Sequence, residues 1–280
     1  MSRTRAASAP AARDDRRFVT ALARGLEVLQ CFLPQDRWLP HQELVRRTGL
    51  PHATVSRLTF TLTSLGYLRH RAAAGEYALS PAVLALGFSM LSTFDIGRAA
   101  RPIMQALADR AQAAVSLGVR HELSMIYVAH CRSAARLTLG LDVGTRLPVA
   151  LTAMGRAVLC AAPDAERECL SRLLQAEDPA GWPVVHSGLA RAATLYHKHG
   201  FVDSVSEWES DIAAIGVPVE IGAGKEPFGL TVGGPATHLH GRFLYDELGP
   251  ALVQAARHHD GRAPPGTSKN LAPLQPTPSR

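Results

Sequence analysis

Residues 41–68 read HQELVRRTGLPHATVSRLTFTLTSLGYL. A short amphipathic stretch, His41–Thr48, ends at Gly49, a residue that closes a helix in the left-handed conformation without steric penalty. Pro51 follows, at a helix start where its missing N–H is not needed. The next helix carries Val55, Leu58, Leu62 and Leu65 on one face and stops at Gly66. Leu44 and Val45 are then placed to pack on Val55 and Leu58. Two helices joined by a glycine turn form the unit that sets a helix end into the major groove of DNA. On that reading the second helix projects His52, Thr54, Ser56 and Arg57, with Arg57 suited to bidentate contact with guanine or a phosphate. Arg46 and Arg47 are expected at the DNA backbone beside the groove. A three-helix packing unit with a solvated basic face is the plainer reading of the same pattern, and it leaves His52 simply exposed.

The flanks extend this reading. Tyr67–Leu79, YLRHRAAAGEYAL, has apolar ends around a basic, glycine-containing centre, which predicts a two-stranded wing with its tip near residues 73–75. Arg69, His70 and Arg71 then face flanking phosphates or the minor groove. Upstream, Phe18, Leu22, Leu26, Leu29 and Leu33 recur at helical spacing and predict a helix with a buried stripe, ended by Pro34. Residues 1–17 read as a disordered basic arm. They have no apolar stretch of the secretory kind, and Asp14 and Asp15 weigh against a transit peptide. Downstream, Pro81–Leu91 is apolar on most faces, so that helix must be covered by the next domain or by a partner chain.

Charge separates the chain into two parts. Residues 1–80 hold 12 arginines and 6 acidic residues, a net +6, whereas residues 81–280 hold 18 basic and 18 acidic residues. A charge confined to one small segment marks a module that meets a polyanion. The neutral remainder is long enough for a second domain with another task.

That remainder mixes helices and strands, the pattern of an α+β sensor domain. A helix is predicted from Asp95, its N-cap, to about Ala114, with Ile96, Ala100, Ile103, Met104, Leu107 and Ala111 on its core side. Strands are expected at Ala114–Val119, Met125–Ala129, Leu137–Leu141, Ala213–Glu220 and Phe228–Val232. Helices are expected near Ala153, near Pro163, over Leu189–His199 and over His238–Ala256. The tail from Asp260 is proline-rich and aperiodic and is expected to be disordered.

Several chemistries find no support. Gly222-Ala223-Gly224-Lys225 lacks the spacing and the Ser or Thr of a phosphate loop and reads as a hairpin turn. His197, His199, His238, His240, His258 and His259 have no carboxylate or cysteine at ligand spacing, so no metal is expected. Cys31, Cys131, Cys160 and Cys169 form no framework and read as buried small hydrophobes in a reducing compartment. No run of residues is long and apolar enough for a membrane span. No nucleophile–base pair or paired carboxylates point to catalysis, and no cofactor is expected.

The blocks FVTALARGLEVLQCF, ELVRRTGLPHATVSRLTFTLTSLGYL, YALSPAVLALG, DIGRAARPIMQALAD, VGTRLPVALTAMGRAVL and HGFVDSVSEWESDIAAIGVPV, in this order and spacing, resemble the IclR family of bacterial transcriptional regulators. The resemblance runs from Phe18 to about His258. It implies an α+β chain with a winged helix-turn-helix DNA-binding domain (18–80), a linker and dimerisation helix (81–94) and a GAF-like α/β effector-binding domain (95–258), followed by the tail 259–280. It also implies a homodimer or homotetramer on a double-stranded DNA operator, responsive to a small carboxylic or aromatic acid. In the family, amides at the turn into the TAMGRA helix cradle the acid, which nominates Met154 and Gly155; the facing strands nominate Ser204, Ala214, Thr231 and Gly233. Such a helix start offers free N–H groups to a carboxylate. Relatives are more polar at several of these positions, which predicts a more apolar or bulkier effector here, or none. Glu207, where the family carries Glu, is expected either to hold the pocket loop or to touch the ligand.

The expected function is that of a cytoplasmic, non-enzymatic regulator whose neutral domain binds a small acid and alters operator binding by the basic domain. A dimeric DNA-binding protein with a degenerate pocket, or an enzyme acting on small acids, are the alternatives.

Overall fold

Helices and strands alternate along the computed structural model, which describes residues 15–92, 96–134, 140–220 and 227–259. The chain divides between residues 95 and 96 into two compact units.

In the first unit, α1 (Thr20–Gln30), β1 (Leu39–Pro40), α2 (His41–Thr48), α3 (His52–Ser64), β2 (Leu68–Arg71), β3 (Glu76–Leu79) and α4 (Pro81–Ser92) follow one another. Gly49 caps α2 at φ 67°, its N–H donating to the Val45 carbonyl, as its residue type requires. The strands form an antiparallel sheet in the order β1-β3-β2. The expected winged helix-turn-helix therefore takes shape, with one small strand, β1, added at the edge of the wing. Cys31, Leu39, Leu44 and Val55 form one buried cluster, and Val28, Leu62 and Leu68 another.

The stripe expected on α1 is not the one that is buried. Leu22 is 63% exposed and Leu26 49%, while Val28 is fully buried. Of the expected stripe Leu29 packs against the cluster around Leu58 and Leu62, and Val28 and Phe32 join it in place of Leu22 and Leu26. Two adjacent apolar stripes run along this helix, and spacing alone does not say which one α3 covers. On α4, Leu84, Leu86, Phe88 and Met90 are exposed on the single chain.

The second unit is built on a six-stranded antiparallel sheet in the order β6-β5-β4-β9-β8-β7. Its elements are α5 (Ile96–Ala111), β4 (Ala114–His121), β5 (Ser124–Arg132), β6 (Arg146–Pro148), α6 (Ala153–Ala161), α7 (Asp164–Glu177), α8 (Trp182–His199), β7 (Val202–Val205), β8 (Ile212–Val219), β9 (Phe228–Pro235) and α9 (Gly249–His259). Helices α5 and α9 pack against the sheet together, α6 packs on β8, β9 and β7, and α8 lies against α6. Ala100, Met104, Leu107 and Ala111 face the core as expected, whereas Ile103 is only half-buried.

Short strands β6 and β7 were not foreseen, because they are defined by pairing with β5 and β8 rather than by their own periodicity. Helix α8 begins at Trp182, ahead of the expected Leu189. The single helix expected at His238–Ala256 is a π-helical turn, Phe243–Leu248, running into α9. Gly249 lies at their junction, where a Cβ would stand 2.4 Å from the Phe201 ring. Cys169 is exposed and Cys160 half-buried, against the expectation of buried thiols. Cys169 lies on α7, where the one buried residue is Leu170. The basic arm up to residue 14, the Asp95 cap, most of the Leu137–Leu141 strand, the Gly222–Gly224 turn and the tail from Asp260 lie outside the described residues.

Candidate nucleic-acid interface and ligand pocket

Helix α3 separates its residues by face. Val55, Thr59 and Leu62 are buried, Thr54 is half-buried, and His52, Ser56 and Arg57 are exposed. Of the first-turn polar groups, two have partners on the start of α2. The Ser56 Oγ lies 3.1 Å from His41 Nε2, and the His52 ring stands 4.4 Å from that of His41. Burial, and then the neighbouring His52, push the His41 pKa down. Arg57 has no ion pair among the described residues. One turn further along, Phe60 is 74% exposed, a large apolar side chain on the same open side of the helix. Charge and turn signals did not single it out.

The two arginines of α2 part company. Arg46 is an exposed side chain paired with Glu43 at 2.6 Å. Arg47, only 12% exposed, pairs with both Glu43 and Asp36 and donates to the Cys31 carbonyl at 3.0 Å. Arg47 thus ties α2 to the segment between α1 and β1, and does not stand with the open face of α3. On the wing, Arg69 and Arg71 both lie over the Trp38 ring, at 5.3 and 4.1 Å from its centroid. His70, on the opposite face of β2, stacks on Tyr77 at 4.5 Å. Trp38, not singled out by sequence, sets the direction of the wing arginines.

The second unit has a pocket beneath the start of α6. Thr152 caps this helix, its Oγ1 accepting from Gly155 N–H at 3.3 Å. The N–H groups of Ala153 and Met154 open the first turn, where a helix offers donors and a positive dipole end. Three glycines let the turn lie on the sheet. A Cβ at Gly216 would stand 2.5 Å from the Ala153 carbonyl, one at Gly229 2.5 Å from Met154 Cγ and one at Gly118 2.5 Å from Met154 Sδ. These glycines belong to the neighbouring strands β8, β9 and β4. Sequence reading did not single them out, since close approach across a sheet leaves no local pattern.

Met154, Ser204, Ala214, Thr231 and Gly233, five of the six residues nominated from sequence, line this pocket together with Ser116, Tyr127, His130 and Trp208. Gly155 does not line it. A Cβ there would stand 2.0 Å from the Val149 carbonyl, so Gly155 serves the close passage of the chain. Ser204 donates to the Leu151 carbonyl at 2.6 Å, and Thr231 to that of Ile215 at 2.7 Å. The hollow has a volume of about 30 Å³, room for about two waters.

Residues 21–72 match the family model for the IclR helix-turn-helix domain, and residues 88–260 that for the bacterial transcriptional regulator IclR C-terminal domain. The chain belongs to the IclR family. It is 34% identical over 238 residues to the HTH-type transcriptional regulator TsaQ1/TsaQ2 of Comamonas testosteroni, a match spanning 84% of this chain and 85% of that one. A crystal structure of an IclR family regulator from Brucella abortus superposes with a TM-score of 0.77 at 40% identity, covering 89% of this chain and 94% of that one. An IclR homolog from Microbacterium hydrocarbonoxydans, crystallised with 4-hydroxybenzoate, shares the fold at 21% identity with a TM-score of 0.65, covering 85% of this chain and 99% of that one. The protein is accordingly a transcriptional regulator with a DNA-binding helix-turn-helix domain. Among the described residues no helix is long and apolar enough to cross a membrane.

Beside the IclR-type pocket, Glu207 is held by ion pairs. Arg156, fully buried on α6, donates to both its oxygens, at 2.9 and 2.6 Å, and to the Asp203 and Ala150 carbonyls. Arg191 on α8 joins Glu207 to Asp203, and Tyr245 donates to Asp203 at 2.7 Å. Burial works against the Glu207 charge, but Arg156 and then Arg191 outweigh it and keep its carboxyl below the ordinary range. Glu207 therefore anchors the segment that carries Trp208.

Proposed function

We propose that this regulator reads a specific operator through α3 and the wing, and that a small aromatic acid in the pocket beneath α6 modulates that reading. The observation that carries the first half is the open face of α3. His52, Ser56 and Arg57 project from it around a sealed core, Thr54 lies beside them, and Phe60 extends the same face. Arg57 is the base- or phosphate-reading side chain; Arg46, Arg69 and Arg71 serve the flanking backbone. The pocket supports the second half: a helix start with open N–H groups suits a carboxylate, and its mostly apolar walls admit a single ring once the flexible Met154 side chain gives way. Met154, Ser204, Ala214, Thr231 and Gly233 form those walls. Gly155 supports the turn, and Arg47 the helix packing.

The acid acts by binding one arrangement of the DNA-reading domains better than another, the only way a ligand shifts such an equilibrium. The protein works in the cytoplasm as a homodimer or homotetramer, with the exposed apolar side chains of α4 covered by a second copy, and it turns nothing over. Selection from a random-sequence duplex pool tests this. A recurrent site of two related half-sites, with an affinity shifted by benzoate-type acids that are recovered unchanged, is the expected result. Recovery of no common sequence would remove operator reading; a common site insensitive to every acid would remove the effector role.

A further inference from the structure

The pocket has a second polar end, on strands β4 and β5, that the α6 turn does not explain. Between Leu117 and Gly118 of β4 the pairing with β5 shifts: Leu117 faces Ala129 and Gly118 faces Tyr127, so Val128 is an extra residue in β5. Tyr127 and His130 are three residues apart and would point to opposite faces of a regular strand. The bulge turns both into the pocket, the effect that bulges have beside binding sites.

These side chains form an ordered donor chain. Arg132 Nε donates to His130 Nε2 at 3.0 Å, which makes Nε2 the acceptor and puts the ring proton on Nδ1. Nδ1–H then donates to Ser116 Oγ at 2.8 Å, and Ser116 lines the pocket beside Tyr127, where its hydroxyl pulls on the phenol and partly offsets the effect of burial. Burial, then the Arg132 charge, push His130 down and keep it neutral. Burial pushes the Tyr127 phenol up to about 12, so it keeps its proton. Each bond polarises the next, and the last proton of the chain is the Tyr127 O–H. The other hydroxyls in the lining are committed elsewhere: Thr152 donates to Pro148, Ser204 to Leu151 and Thr231 to Ile215.

We infer that the Tyr127 hydroxyl, oriented by Ser116, His130 and Arg132, is the pocket's specificity-determining donor and takes a ring-borne oxygen of the ligand. This rests on the pocket reading above and narrows it to single-ring aromatic acids bearing a second oxygen function, such as a hydroxyl. Ser116, His130 and Arg132 are positioning residues in this arrangement. An isosteric methyl group leaves the Tyr127 proton without an acceptor, which costs affinity.

The test is calorimetric titration of the full chain with 3- and 4-hydroxybenzoate and with 3- and 4-methylbenzoate. The wild type should bind one hydroxy acid at least about tenfold more tightly than its methyl counterpart. Tyr127→Phe should bring that ratio close to one, weakening the hydroxy acid and tightening the methyl acid. Ser116→Ala, which keeps the phenol but frees it from its orienting partner, should lower the ratio part of the way. Thermal unfolding verifies that both variants are folded; should Tyr127→Phe not fold, Ser116→Ala with an undiminished ratio overturns the inference. Equal wild-type affinities for hydroxy and methyl acids, or a ratio kept in Tyr127→Phe, also overturn it while leaving the pocket reading intact. Binding of none of the four acids overturns both.

Discussion

Two arginines with the same sequence credentials have different jobs. Arg57 extends from α3 without an ion pair among the described residues, whereas Arg47 is committed to Asp36 and Glu43. Arg57→Ala should therefore weaken operator binding by about 1–3 kcal/mol without moving the thermal midpoint. Arg47→Ala should instead destabilise the first unit by about 1–3 kcal/mol, because it leaves Asp36 short of its partner; a midpoint unchanged by Arg47→Ala would contradict this assignment. The same pair sets an acid response. Burial opposes the Asp36 charge, but the Arg47 and Leu33 donors hold its carboxyl below the ordinary value, and Arg46 and Arg47 pull Glu43 down to about 2. Groups lowered in the folded state add stability above their unfolded pKa, and that stability is lost as pH falls through the folded value. Urea midpoints should drop between about pH 4 and pH 2, and the drop should be smaller in Arg47→Ala. The exposure of Arg57 follows from helix phase and was legible in the sequence. The capture of Arg47 was not, because Asp36 comes within reach only when the α1–β1 segment folds back on α2.

Most helices and the longer strands were legible, because Gly49, Pro51, Gly66 and Gly200 punctuate clear apolar periodicities. What escaped was set by contact between elements. The bed of Gly118, Gly216 and Gly229 under α6 shows only when three strands lie side by side, and Tyr127 joins His130 only through the bulge. Gly216→Ala should push the first turn of α6 off the sheet and cost about 1–3 kcal/mol, read as a lower thermal midpoint and weaker ligand binding together. The anchor of the Trp208 segment is also an inter-element device. Removing Arg156, which is fully buried, leaves Glu207 to Arg191 alone and the Asp203 and Ala150 carbonyls without its donors, so Arg156→Ala should destabilise the second unit by about 1–3 kcal/mol. A loss under about 1 kcal/mol in chemical denaturation would show that the network carries no such weight.

The whole chain joins a basic DNA-binding unit to a neutral one, and charge counting alone exposed that division. Leu84, Leu86, Phe88 and Met90 of α4 are exposed, an apolar patch that in the proposed homo-oligomer a second copy covers. Phe88→Asp should shift the sedimentation coefficient toward that of a monomer and weaken binding to a paired half-site far more than to a single one; an unchanged oligomer would place the interface elsewhere. The central claim, a DNA reader governed by a pocket ligand, is tested most directly by fluorescence anisotropy on the duplex upstream of the protein's own gene. The titration runs against a scrambled duplex at several salt concentrations, with and without 4-hydroxybenzoate. Selective binding is expected, its log affinity falling with log salt by about 0.9 per neutralised phosphate, with a midpoint displaced by the acid. Equal binding to both duplexes, with no displacement, would contradict it.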